Sequence, residues 1–231
     1  RAKARFRGRL MIPIHDVQGR VCAFTARQTA LSPEDDPQRE AKYVNSPETP
    51  VFHKSRLLFN LHRARTAIRE SDRFLLVEGQ LDALRCHAAG LETTVAPQGS
   101  AVTEEQLALL RRYSARLDVL LDGDRAGRAA AFKLLPKALA AGLDVSFLPL
   151  PEGQDPDDLV RAGGAAAVAA LREHALRPMG LALQHLLPEP ASLQPQEKAA
   201  RLEQLYDVIG QAESGVVRTE YLREVARALN L

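Results

Sequence analysis

The chain has 231 residues, 45% hydrophobic and 26% charged, enough for a buried core and more than one subdomain. It contains no run of about 18 apolar residues, so no transmembrane helix is expected, and the start Arg1-Ala-Lys-Ala-Arg5 lacks a signal peptide's apolar stretch and reads as a fragment of a longer chain. The net charge of +2 is uneven, at +6 over residues 1–72 (14 Lys+Arg, 8 Asp+Glu), −4 over 73–158 (9 and 13) and 0 over 159–231 (8 and 8), which suits a protein that grips phosphates with one part and metal ions with another.

In chain order, Arg9–Ile14 and Arg20–Phe24 are short strand-like runs around the turn residues of Asp16–Gly19, so a β-hairpin is expected. Residues 31–40 are polar with two prolines and read as a surface loop, and Leu57–Glu70 reads as a helix. Residues 73–150 then alternate. Apolar runs at 74–77, 93–96, 117–121 and 145–148 are separated by helical stretches at about 80–89, 103–113 and 126–141. Thr103-Glu-Glu-Gln106 is a helix-start pattern, and Gly90 and Gly142 stand where helices should stop. This βαβαβαβ order predicts a parallel sheet with helices on both faces. Residues 159–231 read as a helical bundle, with Leu202, Leu205, Tyr206 and Ile209 on one stripe and Tyr221, Leu222, Val225 and Leu229 on another. The expected fold is thus α/β (α+β overall), in three units: 1–72, 73–158 and 159–231.

Three of the strand-like runs end in carboxylates: Glu78 and Asp82, then Asp122 and Asp124, then Asp155 and Asp157. In an open parallel sheet the carboxyl ends of the strands form the ligand edge, so these six are expected to meet there. Carboxylates gathered closely cannot all stay ionised unless a cation joins them. All are hard oxygen donors with no His or Cys in ligand spacing, which selects Mg2+ or Mn2+ over zinc, and two such ions can serve phosphoryl transfer. Asp118 and Asp158 are read as solvated or capping residues. Cys22 and Cys86 lack CxxC spacing; both are read as small buried residues in a protein of a reducing, cytoplasmic compartment.

Glu78-Gly-x-x-Asp82 with Asp122-Gly-Asp124-x-Ala-Gly127 resembles the Toprim domain. Phe6–Ile14, Gly19–Arg27, Lys42-Tyr-Val-Asn45-Ser-Pro-Glu-Thr-Pro-Val-Phe-His-Lys54 and Leu148–Asp157 narrow this to a resemblance to the DnaG-type replicative primase family, over nearly the whole chain. The resemblance implies a DNA-dependent RNA polymerase that makes RNA primers on single-stranded DNA from ribonucleoside triphosphates. It makes Glu78, Asp122 and Asp124 catalytic and all six carboxylates the ligands of two or more ions. It places Arg5, Arg7, Arg27, Lys42, Asn45 and Lys54 in a groove that holds DNA and nucleotides; the Tyr43 ring is read as packing in the core, with stacking on a base as the alternative. No zinc is expected in this fragment, and a replicative helicase would bind through a region absent here. The family usually carries Tyr-Met where this chain has Gln80-Leu81, and Leu-Gly-Thr where it has Gln98-Gly99-Ser100. The rival readings are a Toprim nuclease or topoisomerase, a phosphatase that uses a DxD pair, and a non-catalytic nucleic-acid-binding module.

Overall fold

The computed structural model describes residues 4–99, 101–189 and 192–229; Ser100, in the turn noted above, lies outside them. The first unit is a three-stranded antiparallel sheet of β1 (Leu10–His15), β2 (Val21–Arg27) and β3 (Tyr43–Asn45), in the order β1-β2-β3. Asp16 sets the hairpin turn, since its Oδ1 accepts the amides of Gln18 (2.9 Å) and Arg20 (3.0 Å). The third strand was not anticipated, because three residues carry too short an alternation to be read. The loop from 28 to 42 is pinned from below by Arg9, which is only 8% exposed and donates to the carbonyls of Ala41 (2.7 Å) and Gln38 (2.5 Å).

Residues 58–59 correct the expected helix from 57. Leu58–Phe59 form a strand, β4, and the helix α1 (Leu61–Ser71) starts only after Asn60. Asn60 adopts the left-handed conformation (φ 67°) and its Nδ2 donates to the Thr94 carbonyl at 2.9 Å, so the chain turns there before it coils.

The main sheet contains β4, β5 (Phe74–Val77), β6 (Thr94–Pro97), β7 (Arg116–Leu120) and β8 (Asp144–Phe147) in the order β4-β6-β5-β7-β8. Only the edge strand β4 is antiparallel. The crossovers are α2 (Gln80–Ala88), α3 (Glu104–Arg111) and α4 (Arg125–Ala140), and they match the expected spans to within about two residues at either end. Both faces of the sheet are covered, which is why its strands read as unbroken apolar runs. Phe74, Leu76, Leu117 and Val119 point into a core shared with α1, α3 and α4. Leu75, Val77 and Leu120 point to α2 and to α5 (Pro156–Glu173).

Three further helices follow: α6 (Pro178–Leu186), α7 (Pro195–Gly210) and α8 (Gly215–Leu229). Met179, Leu205, Ile209 and Val225 join the core of the first face, so the sheet and the helical tail share one apolar interior. The expected stripes are narrower in fact: Tyr206 and Leu222 are 49% and 44% exposed, because each helix meets its neighbours on one side only. Cys86 is buried on the inner side of α2, and burial next to Asp82 and Asp157 pushes its thiol up to about 12, which leaves it an inert core residue. No helix among the described residues is long and apolar enough to cross a membrane.

Candidate catalytic site at the sheet edge

The strand order decides where the carboxylates gather. After β5 the chain adds β6 on one side and β7 on the other, so the topological switch point lies between β5 and β7. Val77 and Leu120 are register partners there. Glu78 follows the first by one residue and Asp122 follows the second by two, so 44 positions of sequence close to neighbouring strand ends.

Glycines bring the remaining loops in. The Gly123 amide donates to the Gln154 carbonyl at 2.9 Å, which ties the loop before α4 to the loop before α5. A Cβ on Gly123 would lie 2.0 Å from the Pro151 carbonyl oxygen, and one on Gly127 would lie 2.1 Å from that of Asp122. Close backbone approach, not a left-handed φ, is what requires glycine at both positions. The stitch carries Asp155 and Asp157 to the edge already occupied by Asp122 and Asp124.

Several of the acids double as helix caps. Asp124 Oδ1 accepts the Gly127 amide (2.7 Å) at the start of α4, and Asp155 Oδ1 accepts the Asp158 amide (2.7 Å) at the start of α5. Asp82 Oδ2 accepts the Gly79 amide at 3.0 Å. Asp157 pairs with Arg161 (2.8 Å) and Arg85 (3.2 Å). Asp158 is the other half of the Asp155 cap, as expected for a capping residue.

The acids act on one another electrostatically. Burial, then repulsion by Asp122, Asp124 and Asp82, raises the Glu78 carboxyl above its ordinary range. Burial and the charges of Asp122, Asp155 and Asp157 raise Asp82, against the Gly79 hydrogen bond. Burial, Asp155 and Asp124 raise Asp122, and Lys42 pulls it partly back. Lys42 belongs to the basic unit, so that unit brings a cation within electrostatic reach of this edge.

Among the described residues, no three acidic, His or Cys side chains are gathered tightly enough to hold an ion as they stand. The donor set nevertheless fits a hard divalent cation: it is all oxygen, Glu78, Asp82 and Asp122 have no salt-bridge partner among the described residues, and a cation would offset the burial and mutual repulsion that raise them. Among the described residues, Glu78 and Asp122 accept no hydrogen bond from a helix amide that an ion would have to displace, unlike Asp82, Asp124 and Asp155.

The basic candidates divide. Lys42 is exposed and faces Asp122. Arg27 lies over the Tyr43 ring, 6.0 Å from its centroid, and Tyr43 is 37% exposed beside Glu78 rather than in the core. The core reading of Tyr43 is corrected, because β3 is an edge strand and leaves the ring part-exposed. Arg5 Nε donates to the Asn45 carbonyl at 3.3 Å, which holds the two together. Arg7 is turned away into a two-pronged pair with Asp35 (2.9 and 3.1 Å). The Lys54 backbone spans Glu48 and Gln106, through an amide donated to Glu48 Oε1 (3.2 Å) and a carbonyl that accepts Gln106 Nε2 (2.9 Å).

Three residues to which the sequence assigned no role in the site matter here. Gln80 Nε2 donates to Gln98 Oε1 at 2.7 Å beside Glu78, so the two departures from the family pattern touch. Asp118 is not solvated: it is fully buried and bridges Arg73 and Arg172. Only its place inside an apolar strand run could have signalled that.

A four-stranded parallel core with acids at its switch point defines a Toprim-type protein, and a family model described as Toprim-like matches residues 75–160. A second, described as DNA primase catalytic core, N-terminal domain, matches residues 1–65. The chain is 35% identical over 229 residues to the DNA primase of Listeria innocua, covering 98% of this chain and 36% of that protein. Its fold is similar to the Escherichia coli primase catalytic core (TM-score 0.85, 35% identity, 98% of this chain and 71% of that one). It is also similar to a DnaG primase catalytic domain bound to ssDNA (TM-score 0.82, 35% identity, 96% and 71%). The chain belongs to the DnaG-type bacterial DNA primase family. It spans about a third of the length of the curated relatives it matches.

Proposed function

We propose that this chain is the catalytic core of a primase, a nucleotidyltransferase that joins ribonucleoside triphosphates into a short RNA primer on a single-stranded DNA template. The observation that supports this reading is that Glu78 and Asp122 follow the paired strand ends Val77 and Leu120 at the switch point, with Lys42 of the basic unit within electrostatic reach of Asp122. One side of the cleft collects negative charge for metal ions and the other supplies positive charge for phosphates.

Glu78, Asp122 and Asp124 are the catalytic carboxylates, and Asp82, Asp155 and Asp157 complete the metal-binding set. Two Mg2+ or Mn2+ ions bound there would activate the attacking 3′ oxygen and stabilise the departing pyrophosphate. The protein's own part is positional. The caps of α4 and α5 fix the backbone on which Asp124 and Asp155 sit, while Arg27, Lys42, Asn45 and Lys54 hold template and triphosphate. Arg5 orders Asn45, and Arg7 joins the groove on release from Asp35. Residues 1–72, 73–158 and 159–231 serve as the basic, the catalytic and the helical subdomains. The whole protein is read as acting in the cytoplasm at the replication fork, beside a replicative helicase.

Template-directed RNA synthesis with Mg2+ tests the reading. Intact protein incorporates ribonucleotides and Asp122→Ala does not; equal incorporation by both would overturn it. Strand cleavage without synthesis would favour the nuclease reading instead.

A further inference from the structure

Next to Glu78 lies a cleft of about 270 Å³, walled among others by Thr25, Tyr43, Asn45, Glu78, Gln80 and Gln98. It sits where the basic sheet meets the acidic edge. Its wall contains an unusual concentration of unmet hydrogen-bonding capacity. Gln98 is only 2% exposed, and its single described bond is the 2.7 Å contact with Gln80. That bond uses one atom of each amide. Gln80 Oε1, Gln98 Nε2 and Asn45 Oδ1 remain buried with no partner among the described residues. Native structures rarely leave such atoms unpaired unless a ligand, a water or a function accounts for them.

The unpaired atoms are complementary in kind, one donor and two acceptors. The terminal amide torsion of glutamine is soft, so the pair can turn that donor and acceptor toward an incoming group at little cost. Beside them the half-exposed Tyr43 ring offers an aromatic face, backed by Arg27. A planar face next to a mixed donor–acceptor edge is what a nucleobase requires, since its ring stacks and its Watson–Crick edge pairs.

We propose that the Gln80–Gln98 amide pair, with Asn45 and Tyr43, forms a nucleobase-reading subsite adjoining the acidic edge, so that these amides set base preference at the reacting end. This rests on the primase reading for the identity of the neighbouring chemistry. The base can belong to the incoming ribonucleotide or to the template strand, and the two sources are separable.

The 231-residue chain is titrated, with Mg2+, with each of the four ribonucleoside triphosphates and with ribose 5-triphosphate, which has no base. It is also titrated with a single-stranded DNA oligonucleotide and the same oligonucleotide with one abasic position. The intact chain binds at least one base-bearing probe about tenfold more tightly than its baseless counterpart, the size expected for a satisfied pair of buried hydrogen bonds. In Gln80→Met/Gln98→Met, which removes the unpaired atoms while keeping side-chain length, that advantage is lost and binding of the baseless probe is unchanged. Gln80→Met alone, at a half-buried position, shows the same loss in part should the double variant fold poorly. Loss confined to the triphosphates assigns the site to the nucleotide, and loss confined to DNA assigns it to the template. The proposal is overturned if the intact chain gains nothing from a base, if the variants keep the full advantage, or if base-bearing and baseless probes weaken alike. RNA synthesis sensitive to Asp122→Ala alongside any of those results sinks the subsite alone; its absence sinks the primase reading.

Discussion

Asp118 lies on β7 at 0% side-chain exposure, and each carboxylate oxygen takes one arginine: Arg73 Nη1 at 2.6 Å and Arg172 Nε at 2.7 Å. The arginines are 34% and 37% exposed. That asymmetry predicts unequal costs. Asp118→Asn removes the buried charge and leaves two cations already able to reach water. Each charge-assisted bond is worth about 1.5–3 kcal/mol, but the relief of desolvating the acid offsets part, so the net loss should be about 2 kcal/mol. Arg73→Met with Arg172→Met keeps the apolar stems and strands a carboxylate with no access to solvent, which costs about 3–5 kcal/mol. For a chain of this size about 2–4 °C accompanies each kcal/mol, so the expected falls in melting temperature are about 4–8 °C and about 6–20 °C. Urea unfolding followed by circular dichroism gives the free energies directly. A greater loss in Asp118→Asn than in the double variant would refute the reasoning. Arg172 lies in α5 beyond its kink at Gly164, and Asp155 (the N-cap) and Asp157 stand at the start of α5, so the bridge anchors the far part of the segment that supplies them.

Glu78, Asp82 and Asp122 are raised above their ordinary range, so the folded chain holds protons there that the unfolded chain has released. Their contribution to stability is therefore best at low pH and is lost as pH rises through the raised values. Asp122→Asn should raise the melting temperature at pH 7 and flatten its fall with pH while abolishing synthesis; a lower melting temperature at pH 7 would contradict the mutual-repulsion account. Added Mg2+ should stabilise the intact chain, by about 2.7 kcal/mol at a hundred times its dissociation constant, and Asp122→Asn much less, as read by thermal melts with and without EDTA. Lys42→Ala should weaken triphosphate or template binding about tenfold and lower the salt dependence by about one charge without changing the melting temperature. Unchanged binding would remove Lys42 from the groove.

Much of the sheet was legible because a strand buried on both faces must be apolar throughout. Phe74–Val77 and Arg116–Leu120 accordingly stood out at nearly their final boundaries. The short strands at Tyr43–Asn45 and Leu58–Phe59 did not, since pairing across the sheet, not local pattern, makes them strands. In sequence Asp118 read as a solvated or capping residue and Asp122 as a site carboxylate, though both are acids around one strand. One points into the interior of the sheet and the other stands beyond its end, and only the packing of α5 against β7 separates an ion bridge from a site residue.

By itself the sequence determined the kinds of group this protein can bring to bear: hard oxygen donors after strands, cations ahead of them, and glycines where backbones must approach. Local patterns suffice for that, because each depends on residues a few positions apart. Tertiary structure decided which groups meet. The order β6-β5-β7-β8 puts Glu78 beside Asp122, the Gly123 stitch draws in Asp155, and the fold of the basic unit turns Lys42 toward the acids but Arg7 toward Asp35. It also brought Gln80 and Gln98 into contact across 18 positions. Those pairings arise from burying both faces of one sheet, a constraint on the whole chain that no short stretch of it contains.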